Sequence, residues 1–112
     1  MEQINLSDYK NIYLKTAKEY IDNILSGHSK LSANAQDKEA IIEIRLSVHS
    51  LKGQSQIMGF TNIVNFCEGI EAVLEKILKG VSGVDEEFLS FLKKFIDDIN
   101  LELNLIEKGN SA

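Results

Sequence analysis

Proline and tryptophan are both missing from these 112 residues, aromatic side chains make up only 7% of them, and there is a single cysteine. Without proline, nothing fixes φ or removes an amide donor inside a periodic segment, so breaks between elements must come from glycine and from capping side chains. One thiol, Cys67, cannot close an internal disulfide, which fits a reducing, cytoplasmic setting. The chain lacks both an apolar run of roughly 18 residues and the shorter hydrophobic stretch of a secretory leader, so no membrane insertion is expected. Basic residues are scattered, and a net charge of −5 with a pI near 5.0 argues against nucleic acid or an anionic membrane surface as a partner. No alternating β-branched run with hairpin turns occurs, and no internal repeat.

What remains is a chain of one-domain size, 1–112, in which 44% of residues are hydrophobic and recur at helical intervals. The spacing predicts an all-α, antiparallel up-down four-helix bundle, with or without a short extra N-terminal helix or turn. Its helices fall at about 8–26, 35–58, 61–79 and 85–107. Ser7 reads as the first N-cap, Tyr9, Ile12, Tyr13, Ala17, Tyr20, Ile21, Ile24 and Leu25 mark an apolar side, and Gly27 ends the helix. Residues 27–33 then form a surface connection, with His28 a solvated loop histidine. Asn34 reads as the second N-cap and Gly59 as the second helix's terminal glycine. Thr61 or Asn62 opens the third helix, whose core face is Ile63, Phe66, Cys67, Ile70, Val73, Leu74, Ile77 and Leu78. Cys67 reads there as a small core residue. Asp85 caps the fourth helix, which buries Phe88, Phe91, Leu92, Phe95, Ile96, Ile99, Leu103 and Ile106. Residues 109–112 read as a frayed tail or the start of a linker.

The second helix carries the anomaly. Ile41, Ile44, Val48, Leu51, Ser55 and Met58 follow its core stripe, whereas His49 lies on a flank with Arg45, Lys52, Gly53 and Gln56. Beside that flank runs a second apolar set, Ile42, Leu46, Ile57 and Phe60, which suggests a docking surface around a polar centre. Glycine inside a helix costs about 1 kcal/mol relative to alanine. Gly53, one turn past His49, therefore removes bulk beside the imidazole where something must come close. An exposed neutral imidazole is a good nucleophile toward phosphorus near neutral pH. Lys52 is placed to offset the charge of a phosphoryl group on that ring, and Gln56 to donate a hydrogen bond. In the third helix Glu68, Glu71 and Glu75 form a charge row of the solvated kind, with Glu71 the exception. It is placed to accept a hydrogen bond from the other ring nitrogen and so fix the tautomer. No Glu-x-x-His pair or clustered ligand spacing supports a metal site, and no phosphate-cradling glycine loop follows a strand.

His49-Ser50-Leu51-Lys52-Gly53, followed by Met58-Gly59-Phe60 and, further on, by Cys67 and Glu71, resembles the signature of histidine phosphotransfer (HPt) domains. The core of the likeness runs from Ile41 to Ile77. It implies a bundle whose second-helix histidine, matched by His49, takes a phosphoryl group on Nε2 from an aspartyl phosphate of a response-regulator receiver domain and passes it to another. Lys52 matches the charge-compensating lysine and Gly53 the small residue at the contact. The domain would be a phosphoryl carrier and not a stand-alone enzyme, with no cofactor of its own. The receiver would supply the magnesium ion, and Ile42, Arg45, Leu46 and Ile57 the docking patch for a receiver or a sensor histidine kinase, on a monomer. The sequence is also similar to the phosphoacceptor domain of chemotaxis-type kinases, phosphorylated from ATP by a separate kinase domain. Glu68 stands here in place of a second histidine common in those domains, and Leu46 in place of an arginine, with Arg45 displaced by one, so general phosphorelay ranks ahead of chemotaxis. A helical adaptor that uses the same patch without covalent chemistry is the reading from a different class.

Overall fold

The computed structural model describes residues 6–109, with side chains from residue 8 onward. Four helices, α1 (Leu6–Ala33), α2 (Lys38–Met58), α3 (Thr61–Leu78) and α4 (Glu86–Glu107), form an antiparallel up-down bundle. Each helix packs on two neighbours: α2 lies between α1 and α3, and α4 closes the ring against α3 and α1. The shared core is aliphatic, with Ile24, Leu31, Ile44, Leu51, Ile63, Ile70, Leu74, Leu92, Ile96, Ile99, Leu103 and Ile106 fully enclosed. At roughly 1.5–3 kcal/mol for each such side chain removed from water, this apolar seam is the main stabilising force.

Helix ends follow local chemistry. Asp37, not Asn34, caps α2: its carboxylate accepts the Ala40 N–H at 3.1 Å, while Asn34 Oδ1 accepts the Gln36 N–H at 3.0 Å and shapes the preceding turn. Gly59, at φ 77°, closes α2 by donating its N–H to the Gln56 carbonyl, a conformation that costs a side-chain-bearing residue strain. Asp85 caps α4, accepting the Phe88 N–H at 2.8 Å, and Glu86 and Glu87 follow in the first turn, where the helix dipole favours anions. α3 starts at Thr61 with no side-chain cap. The start of α1 at Leu6 places Ser7 inside the helix, and what caps it lies outside the described residues. The expected tail beyond Gly109 also lies outside them.

The largest departure from the sequence reading is α1, which runs through Gly27 to Ala33 instead of ending near residue 26. Gly27 is buried against α2, and a Cβ on it would sit 2.5 Å from Ile44 Cγ1. It is the point of close approach between two helices, not a stop. The extra turns bury Leu31 and place His28 half-buried against α4, where its Nε2 donates to the Leu89 carbonyl at 3.0 Å; it is not a solvated loop residue. Phe66, Phe91, Tyr9, Ile12 and Leu25, read as core-facing, are exposed to a third or more of their surface because they lie at the margins of their stripes. Phe60 leaves the outer apolar set: half-buried, it packs edge-on against Tyr13, with ring centroids 4.9 Å apart. The Tyr13 hydroxyl in turn bonds to Ser55 Oγ at 2.7 Å, satisfying the one polar position on α2's core stripe. Cys67 is fully buried, and burial pushes its thiol up to about 12, so it stays a protonated core residue.

Candidate functional site

α2 and α3 lie side by side, and their facing flanks build the site. Three positions on α2, Arg45, His49 and Lys52, are one turn apart and so share a flank; Glu75, Glu71 and Glu68 do the same on antiparallel α3. His49 Nδ1 donates to Glu71 Oε2 at 3.1 Å. Lys52 Nζ lies 2.7 Å from the other oxygen of the same carboxylate, and Arg45 Nε lies 2.6 Å from Glu75 Oε1. One carboxylate thus holds both the imidazole and the lysine.

The imidazole is 70% exposed, and its Nε2 has no hydrogen-bond partner among the described residues. Glu71 is four-fifths buried at the foot of the ring. Since a carboxylate can only accept, Nδ1 carries the proton in this contact, and in the neutral tautomer that leaves the lone pair on Nε2. Burial pushes the Glu71 carboxyl up, but the contacts to Lys52 and His49 outweigh it and hold it below the ordinary glutamate range. The same contact to Glu71 raises Lys52, against the opposing effect of burial, so the ammonium is secured. A lowered carboxylate stabilises the fold at neutral pH, fully above its unfolded-state value near 4.3, and loses that contribution as pH falls through the lower folded value. Melting curves should therefore show Glu71→Gln less stable than the parent at pH 7, with the difference closing in acid below about pH 4.

The space at Gly53, one turn past His49, is open: an added Cβ would meet nothing within 4 Å. Gly53→Ala should accordingly stabilise the chain, by about 0.5–1 kcal/mol in urea denaturation, because only the helix-propensity penalty is removed. Packing inside the bundle therefore does not require a glycine at this position. Around it Ile42, Leu46 and Ile57 are all exposed, Ile57 to 86%. Arg45 does not stand free in this patch: it is tied to Glu75, which the sequence reading left as solvated. Gln56 is exposed one turn beyond Lys52, with no side-chain hydrogen bond among the described residues. Tyr9 and Ile12 of α1, read from the sequence as core-facing, instead line a shallow groove with Gln54, Ile57 and Met58 and continue the apolar ground across to α1. Their spacing within an over-wide apolar stripe was the available signal, since Tyr13, Leu14 and Ala17 already fill the inward positions of those turns.

A model of the Hpt domain family matches residues 8–102. The Chemotaxis protein CheA of Bacillus subtilis (strain 168) is 24% identical over 109 residues, covering 97% of this chain and 16% of that protein. The CheA of Halobacterium salinarum is 24% identical over 102 residues, covering 91% and 15%. Among solved structures, the CheA phosphotransferase domain from Thermotoga maritima superposes with a TM-score of 0.88 at 25% identity, covering 92% of this chain and 98% of that one. The solution structure of the histidine phosphotransfer domain of CheA also gives 0.88 at 25% identity, covering 96% and 80%. The chain therefore spans under a fifth of the length of these curated relatives but nearly the whole of a solved phosphotransferase domain. These likenesses support histidine phosphotransfer and are consistent as well with the chemotaxis-kinase alternative. With the match running over most of its length and the bundle shared, the chain belongs to the Hpt domain family, the histidine phosphotransfer domains of phosphorelay signalling.

Proposed function

We propose that His49 is the phosphoryl acceptor and that the chain shuttles a phosphoryl group to or from the aspartate of a receiver domain. The observation that supports this most is a single imidazole, 70% exposed, with Nδ1 anchored on Glu71, Nε2 without a partner among the described residues, and open space at Gly53 one turn along. In the forward step the Nε2 lone pair forms the new P–N bond while the P–O bond of the aspartyl phosphate breaks, its electron pair leaving on the carboxylate. The ring gains positive charge as the bond forms, and Glu71, already in contact through the Nδ1 proton, offsets it. The same contact keeps the ring a competent leaving group, so the step runs in reverse toward another aspartate. Lys52 is within reach to neutralise part of the phosphoryl charge. The receiver contributes the magnesium ion and the residues that polarise phosphorus, and this chain contributes the positioned nucleophile.

The exposed Ile42, Leu46 and Ile57 give the visiting domain an apolar landing area around the polar centre. The same site serves a chemotaxis-type kinase, with the donor an ATP-loaded kinase domain, and the named relatives favour keeping that reading beside the first. Cytoplasmic residence suits either partner, and no described helix is long and apolar enough to cross a membrane. Incubation with a phosphorylated receiver, or with a histidine kinase and ATP, tests the proposal. A carrier takes up acid-labile, base-stable phosphate, whereas a helical adaptor binds the partner and stays unlabelled.

A further inference from the structure

The seam between α2 and α3 repeats one antiparallel register. Arg45 meets Glu75, and one turn along His49 meets Glu71. Three residues further on α2 and three residues back on α3, the same register sets Lys52 opposite Glu68. Lys52 does not take that rung. Its ammonium leans back to Glu71, whose four-fifths-buried carboxylate attracts a cation more strongly than an exposed one does. Glu68 is left exposed and makes no ion pair among the described residues, yet it stays near enough to Lys52 to help keep the ammonium charged. Three carboxylates, Glu68, Glu71 and Glu75, thus face two permanent cations, Arg45 and Lys52, around one imidazole.

We infer that Glu68 is a positioning residue that loosens the site's hold on a phosphoryl group carried by His49, by opposing the dianion and by competing with it for Lys52. This rests on His49 being the acceptor. With the phosphoryl group on Nε2, the dianion, Glu71 and Glu68 all claim one ammonium. Glu68 enters that competition from the exposed rim, through its field and without an ion pair of its own among the described residues. The carrier is thereby tuned to pass its phosphate on, not to store it.

The test uses the whole chain and potassium phosphoramidate as donor: Nε2 forms the new P–N bond as the reagent's own P–N bond breaks and ammonia leaves. The ionisation of the resulting phosphoryl group is then followed by ³¹P NMR across pH. A nearby anion suppresses that ionisation, so its constant should rise about threefold in Glu68→Gln and about tenfold in Glu68→Lys at low salt, and the differences should shrink at high salt. Glu39→Gln, on the first turn of α2 about 15 Å along the helix from His49, should match the parent. Parent-like constants in both Glu68 variants, on chains that do take the label, would overturn the inference while leaving the acceptor in place. A parent chain that takes no label on His49 would overturn the acceptor reading instead.

Discussion

Replacing His49 with glutamine should leave a folded bundle that accepts no phosphate at all. The side chain is largely in solvent, and its one polar contact among the described residues is to a carboxylate that Lys52 continues to hold at 2.7 Å. Loss of an exposed pair of this kind is worth at most about 1 kcal/mol, so the melting temperature should move by only a few degrees. Chemistry is affected on another scale, because glutamine offers no nucleophilic nitrogen and uptake from a phosphorylated receiver should fall to background. His28→Gln is the matched comparison. That ring is half-buried and its Nε2 is committed to the Leu89 carbonyl, so the variant should keep the full label even if the α1–α4 contact weakens. Label surviving in His49→Gln would move the acceptor elsewhere.

Gly27→Leu should be the most damaging substitution to the fold. A Cβ at this position would approach Ile44 Cγ1 to 2.5 Å and Cδ1 to 2.8 Å, and Ile44 is itself fully enclosed, so it has nowhere to turn. Relief requires α1 and α2 to separate along the seam that also buries Ile24 and Leu31. Overpacking of this kind, net of the gain from replacing a helical glycine, should cost about 2–4 kcal/mol and lower the melting temperature by about 10 °C or more. Gly27→Ala should lie between the two, and Ile44→Val should recover part of the loss in Gly27→Leu by freeing a methyl group's volume. Gly53→Ala, with open space around it, should shift stability in the opposite direction. Two glycines embedded in helices therefore differ in kind: Gly27 is required by helix packing, whereas Gly53 stands in open space.

That contrast marks what was legible in the sequence. The α2 core stripe, the Asp85 cap of α4, the Gly59 terminus of α2, and the grouping of His49, Lys52, Gly53 and Glu71 follow from periodicity and spacing, because they depend on contacts within a turn or across one helix pair. Asp85 capping and the left-handed Gly59 are local events, set by residues three or four positions apart. Gly27 is not local: whether a glycine ends a helix or lets another one in depends on Ile44, seventeen positions away, and no pattern within α1 records that partner. His28 was misplaced for the same reason, since its acceptor belongs to α4. Asn34 and Asp37 are both good caps, and only the path of the turn decides between them. The role of Arg45 in the Glu75 pair, and not in the open patch, depends on the α2–α3 register, which becomes visible once His49 and Glu71 are seen to meet.

The most direct measurement of the central claim is the ring atom that carries phosphorus. With only two histidines in the chain, ¹⁵N-labelled imidazoles give two resolvable sets of nitrogen signals, and long-range proton–nitrogen correlation after phosphorylation identifies the atom modified. The account predicts phosphorus on Nε2 of His49, with the Nδ1 proton still held by Glu71. Phosphorus on Nδ1 of His49, on His28, or on neither ring would contradict it.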